Sequence, residues 1–120
     1  MEYSNVLKES IKEGSKVYGS ILLELENALI VLLYEGEKAR LGTLAISIPG
    51  IQGGSSSSIL LGGESIVSAR VMAERISQRT GKVGLLSIFS RTDLDKTGGL
   101  RAYSRLLEDL LDKKAKASEG

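Results

Sequence analysis

Ser55-Ser56-Ser57-Ser58-Ile59-Leu60-Leu61-Gly62-Gly63-Glu64 opens the stretch that decides the fold, and Val83-Gly84-Leu85-Leu86-Ser87-Ile88-Phe89 closes it. Between them, from about Ser65 to Arg79, apolar residues recur at helical spacing. Ile66, Ala69, Met72, Ala73 and Ile76 form one stripe, and Val67 and Val71 widen it. Ser65 stands at the N-cap position and Gly81 at the position where a helix turns left-handed and stops. The run Val83–Phe89 then has the length and composition of a central strand. Segments on either side need this helix-strand unit to pack against.

Four strand-like segments precede it. Asn5–Glu13 fits either a helix, through Tyr3, Leu7 and Ile11, or a charged edge strand. Gly14-Ser15 reads as a hairpin turn and favours the strand. Over Lys16–Glu26, Val17, Gly19, Ile21, Leu23 and Leu25 share one face, with Lys16, Ser20, Glu24 and Glu26 on the other. Ala28–Tyr34 is continuously apolar between Asn27 and Gly36, as expected of a strand buried on both faces. Arg40–Ile48 alternates again, and Pro49-Gly50 ends it. Short turns between these segments predict an antiparallel meander.

Ile51 to Ser58 contains Gly53-Gly54 and four serines, too little apolar surface to offset the entropy of ordering, and is expected to be a mobile loop. Ile59-Leu60-Leu61 returns to the core. After Phe89, a polar loop leads to a second helix over about Leu100–Leu111. Its stripe is Leu100, Tyr103, Leu106, Leu107, Leu110 and Leu111. The predicted class is α+β: an antiparallel meander sheet and two helices, in the order strands, helix, strand, helix. Residues 1–112 form a single domain, and 113–120, rich in lysine, form a flexible tail.

Composition excludes much chemistry. The chain has 120 residues, a net charge of +1, no cysteine and no histidine. Disulfides and thiolate chemistry are absent, as are the commonest general base and the commonest metal ligand. The first 60 residues carry a charge of −2 and the last 60 carry +3, too small an asymmetry for a nucleic-acid face. One phenylalanine and four tyrosines offer few platforms for base stacking. No apolar run is long enough to span a bilayer. Met1–Asn5 lacks the pattern of a secretory leader, so a cytoplasmic location is expected.

Three stretches invite a chemical reading and do not sustain it. Gly50-Ile51-Gln52-Gly53-Gly54-Ser55-Ser56 lacks the lysine that completes a phosphate-binding loop. Asp93-Leu94-Asp95 lacks the glycine and terminal glutamate of a calcium loop, and reads as a solvated turn. Ser87, or a loop serine, has no histidine to activate it and no lysine at a suitable helical spacing. No catalytic residue, cofactor site or metal site is expected. The apolar load is more informative. A single two-layer core is not expected to hide all of Leu22, Leu33, Leu41, Ile66, Val67, Val71, Leu107 and Leu111. Exposed apolar surface marks an interface, most often in a symmetric dimer.

From Lys16 to Leu111 the chain resembles the proteasome assembly chaperone 3/4 family, and within it the chaperone 3 branch. The matching pieces are Leu41-Gly42-Thr43-Leu44, the loop after Pro49, and Ser58-Ile59-Leu60-Leu61-Gly62. They continue with Ile76-Ser77-Gln78-Arg79-Thr80-Gly81, Val83-Gly84-Leu85-Leu86-Ser87-Ile88 and Gly99-Leu100-Arg101-Ala102. These are packing signatures rather than a catalytic motif. The resemblance implies a non-enzymatic chaperone that binds proteasome α subunits and promotes assembly of the α-ring and the 20S core particle. It implies work as a homodimer or paired with a related chaperone. It also implies partner contact through the loop before the first helix: Ile51, Gln52, Gly53, Gly54, Ser55, Ser56, Ser57 and Ser58. Compact turns and the lack of cysteine suit an archaeal member. The competing expectation is a small dimeric scaffold of the roadblock or longin kind, which sheet topology separates.

Overall fold

The structure is a computed structural model that describes residues 5–50, 55–63, 65–91 and 98–119. Its strands are β1 (Val6–Glu13), β2 (Lys16–Glu24), β3 (Ala28–Glu35), β4 (Thr43–Pro49), β5 (Ser55–Leu61) and β6 (Val83–Phe89). Its helices are α1 (Ile66–Thr80) and α2 (Gly99–Glu119). The class is α+β, with the expected order of strands, helix, strand and helix.

The sheet is mixed, in the order β1-β2-β3-β6-β4-β5. β1, β2 and β3 form the expected antiparallel meander. The meander then breaks. β4 does not lie beside β3, because β6 enters between them, parallel to β3 and antiparallel to β4. The connection from β3 to β4 crosses the end of β6, and Gly42 makes the crossing possible. Its amide donates to the Ser87 hydroxyl at 2.8 Å, and a β-carbon there would overlap the Ile88 carbonyl. Ser87, weighed above as a nucleophile, is a buried strand serine holding this crossing.

Both helices cover one face of the sheet. The core between the layers contains Tyr18, Leu22, Leu29, Val31, Leu33, Ala45, Leu86 and Ile88 from the strands. α1 adds Ala69, Met72, Ala73 and Ile76, and α2 adds Tyr103, Leu106, Leu107, Leu110 and Leu111. Tyr18 meets Tyr103 edge to face with ring centres 5.3 Å apart, a favoured aromatic geometry. The Tyr103 hydroxyl donates to the Phe89 carbonyl at 2.6 Å.

Several expectations are corrected. On β2 the face that meets the helices is Tyr18-Ser20-Leu22, not Val17-Gly19-Ile21-Leu23. β3 is not equally buried on both sides; fully buried residues alternate with half-buried ones, because helices cover only one face. Ser55–Ser58 is not a loop. It pairs with β4 as the first half of β5, since backbone hydrogen bonding needs no apolar side chain. α2 does not end near Leu111 but runs to Glu119. Residues 113 and 114, read as the start of a tail, are helical and fastened: Lys113 pairs with Glu9 at 2.6 Å and Lys114 with Glu24 at 3.3 Å. Ser65 precedes α1 in a left-handed conformation, φ 68°, and its hydroxyl makes no capping bond. Gly81 ends α1 as expected, with φ 69° and its amide donating to the Ser77 carbonyl.

Candidate partner-binding site

The face of the sheet away from the helices carries a continuous apolar surface. Register fixes its composition. Across β2, β3, β6 and β4 it presents Ile21 and Leu23, Ile30 and Leu32, Leu85, then Leu44 and Ile46. All are only half-buried, since no layer lies above them. Toward the β5 edge Ile48 and Leu60 are more than half exposed, at 54% and 57%. The centre is aliphatic. The margins are more polar, with Lys8, Ser10 and Lys12 beside Val6 on β1 and Ser56 and Ser58 beside Leu60 on β5. An apolar centre within a polar rim is the anatomy of a protein–protein interface.

Three features brace the sheet that carries this face. Tyr34 packs directly over Gly19, where any β-carbon would strike its ring. Lys82, just after α1, reaches Glu24 on β2 at 3.1 Å and also donates to the Leu25 carbonyl at 3.1 Å. Burial alone would raise the Glu24 carboxyl; Lys82 and Lys114 outweigh it and hold the group below its ordinary value. The Arg40 and Arg91 guanidinium groups both lie over the Phe89 ring, at 4.9 and 5.6 Å, at the end of the sheet where the crossing passes.

The eight residues singled out before the first helix divide. Ile51, Gln52, Gly53 and Gly54 lie outside the described residues, as does Asp93-Leu94-Asp95. Ser55, Ser56, Ser57 and Ser58 form an edge strand whose side chains alternate. Ser55 and Ser57 turn toward α1: Gln78 donates to the Ser55 hydroxyl, and the Ser57 hydroxyl accepts from Arg70 and donates to Glu74. Ser56 and Ser58 lie opposite Ile48 and Ile46 on the open face. The serine segment therefore belongs to the rim of the apolar surface. In the sequence these aliphatic residues stand on separate strands, and only the register brings them together. The signal was the second apolar set on strands that already had one.

Of the apolar residues expected to exceed one core, Leu22, Leu33, Leu107 and Leu111 are buried. Leu41, Ile66, Val67 and Val71 are exposed. Among the described residues no cluster of acidic side chains could hold a metal ion, and no helix is long and apolar enough to cross a membrane.

No protein-family model matches the chain, and no curated protein matches its sequence. Solved structures do match it. One is a chain from the crystal structure of a novel chaperone complex for yeast 20S proteasome assembly. The TM-score is 0.65 and the identity 18%, over 93% of this chain and 97% of that one. The likeness shows a shared fold through nearly the whole of both chains.

Proposed function

We propose that this protein is a non-enzymatic assembly chaperone that binds proteasome α subunits and promotes formation of the α-ring and the 20S core particle. The observation that carries this reading is the end-to-end fold likeness to a chain of a yeast 20S assembly chaperone complex. The packing signatures from Leu41-Gly42-Thr43-Leu44 to Gly99-Leu100-Arg101-Ala102 point the same way.

The working unit in this reading is a pair of chains, two copies of this one or this one with a related chaperone. They join through their open sheet faces. Stacked sheets pack about 10 Å apart with interdigitated side chains, which covers the central aliphatic residues and leaves both helix layers outside. The rim strand Ser55–Ser58 then lies beside the joint, and in this reading Ile51–Ser58 contacts the client. Such an interface gives way to the larger and more apolar permanent contacts between ring subunits.

The test is reconstitution. Purified α subunits are mixed with and without the protein, and ring formation is followed on native gels and by light scattering. The proposal expects a complex with α subunits and faster or more complete rings. Absence of both would overturn it.

A further inference from the structure

The contact between α1 and α2 changes character along its length. The helices run parallel, since later residues of one meet later residues of the other. Over their C-terminal turns the contact is ionic. Arg75 grips Glu108, and Arg79 reaches both Glu108 and Asp112, at 2.9 to 3.1 Å. One heptad earlier on the same stripe of α2, the places of Glu108 and Asp112 are taken by Arg101 and Arg105. The facing turns of α1 carry no carboxylate. They present Val67, Ser68, Val71 and Met72, which with Leu100 and Ser104 line an apolar groove of about 250 Å³.

Two details separate this groove from an ordinary helix surface. Val67 and Val71 are 75% and 61% exposed. β-branched residues at exposed helical positions neither favour the helix nor help solubility. They also lie on the helix side of the sheet, so pairing through the open sheet face leaves them bare. Second, Arg101 and Arg105 are exposed and form no ion pair among the described residues. Cations thus stand beside an aliphatic groove, where the next turns supply the carboxylates that answer such cations.

We propose that the groove between the N-terminal halves of α1 and α2 is a second docking site, for an acidic aliphatic segment of another polypeptide. That segment places a leucine- or isoleucine-like side chain between Val67, Val71 and Leu100, and carboxylates on Arg101 and Arg105. Bidentate arginine–carboxylate contacts supply orientation, and the groove supplies the apolar contact. A second copy of this chain is the wrong occupant. A two-fold contact brings the same patch against itself, and here that sets arginine against arginine. Nucleic acid is equally unsuited, since no aromatic ring lines the groove. The site does not depend on pairing through the sheet or on the identity of the client proposed above.

The test uses the full chain, labelled with nitrogen-15, and two capped synthetic peptides. One has leucines at helical spacing with glutamate between them; the other has lysine in place of each glutamate. With the glutamate peptide, amide shifts are expected to saturate over Val67–Met72 and Leu100–Arg105, with Kd of about 0.1–1 mM, and to weaken with salt. The lysine peptide is expected to leave them unmoved. The double variant R101E/R105E is expected to exchange the preference. V67S/V71S is expected to weaken the glutamate peptide about tenfold while the remaining spectrum stays native. Equal response to both peptides, shifts confined to the sheet face, or no shift at millimolar peptide would each overturn the proposal. So would concentration-dependent shifts at Val67 and Val71 without peptide, which assign the groove to a second copy. Movement of the same resonances in D93N/D95N without peptide would assign it to the chain's own acidic stretch, with the same consequence.

Discussion

Arg75 of α1 donates from Nε and Nη2 to the two carboxylate oxygens of Glu108 on α2, both at 2.9 Å, so the two helices are joined by a two-pronged ion pair. Arg79 adds a third contact to the same carboxylate at 3.1 Å. The Arg75 and Arg79 groups hold the Glu108 carboxyl below the ordinary glutamate value near 4.5, against a smaller opposing effect of burial. A depressed acid stabilises the fold at pH above its unfolded value and ceases to do so as pH falls through its folded value. Glu108→Gln is therefore expected to cost up to about 1 kcal/mol near neutral pH, the range for well-formed exposed pairs. Urea unfolding compared at about pH 7 and about pH 3 checks it: the gap between the two proteins should close on acidification. A gap that persists in acid would show that the glutamate acts through packing, not charge.

Gly42 is the point where the chain passes over β6. Gly42→Ala places a methyl group against the Ile88 carbonyl and the Phe89 Cα, backbone atoms of β6 that cannot rotate aside as a side chain would. The expected cost is about 2–3 kcal/mol. Gly62→Ala is the control, since a β-carbon there meets nothing among the described residues. Thermal unfolding of the two variants should differ by several degrees or more. Equal melting would mean the crossing is softer than its geometry implies.

How far the sequence foretells this molecule is clear from the same crossing. The Gly14-Ser15 turn placed β1, alternation placed β2, and the helical stripe and Gly81 placed α1, because each is a local signal. The insertion of β6 between β3 and β4 is not local. A short connection from Glu35 to Thr43 allows either an adjacent strand or a skip of one position, and nothing in those residues chooses. Ser55–Ser58 was misread because burial of side chains was taken as the requirement for a strand, whereas an edge strand lives on the hydrogen bonds its neighbour offers. The end of α2 was misread for a similar reason. Lys113 and Lys114 look like a fraying tail until Glu9 and Glu24 are brought beside them by the sheet. The open face was legible only in part. Ile21, Leu23 and Ile46 announced an apolar set on each strand, but which of two sets would meet helices depended on where the helices lay.

If paired chains meet through that face, a charge at its centre should separate them. Ile46, midway along β4, lies directly opposite Leu85 of the central strand β6 and is only half-buried in the single chain. Ile46→Lys sets an ammonium group where the partner sheet would bury it, at a cost of several kcal/mol without a counter-charge. Light scattering is expected to give the mass of a pair for the parent protein and of one chain for the variant, with circular dichroism unchanged. A parent protein that already runs as a single chain at micromolar concentration would remove self-pairing through the sheet.

Tyr103 offers a readout of the core at the alkaline end. Its ring is buried against Tyr18, and its hydroxyl is spent on the Phe89 carbonyl. Burial, joined by the charge of Glu35, pushes its ionisation far above the ordinary phenol value of 10.0. In the unfolded chain the group would ionise near that ordinary value. Above it the unfolded state has lost a proton that the native state still holds, so stability falls as pH rises. Below it the group makes no pH-dependent contribution. Tyr103→Phe removes this liability together with the hydrogen bond. The variant should lose about 1 kcal/mol near neutral pH, where the bond to Phe89 is the difference. The deficit should then shrink with increasing alkalinity, as the parent protein is drawn toward unfolding by a tyrosinate the variant cannot form. Denaturant midpoints measured from neutral to strongly alkaline pH decide it, with parallel curves arguing that Tyr103 titrates no differently in the folded chain.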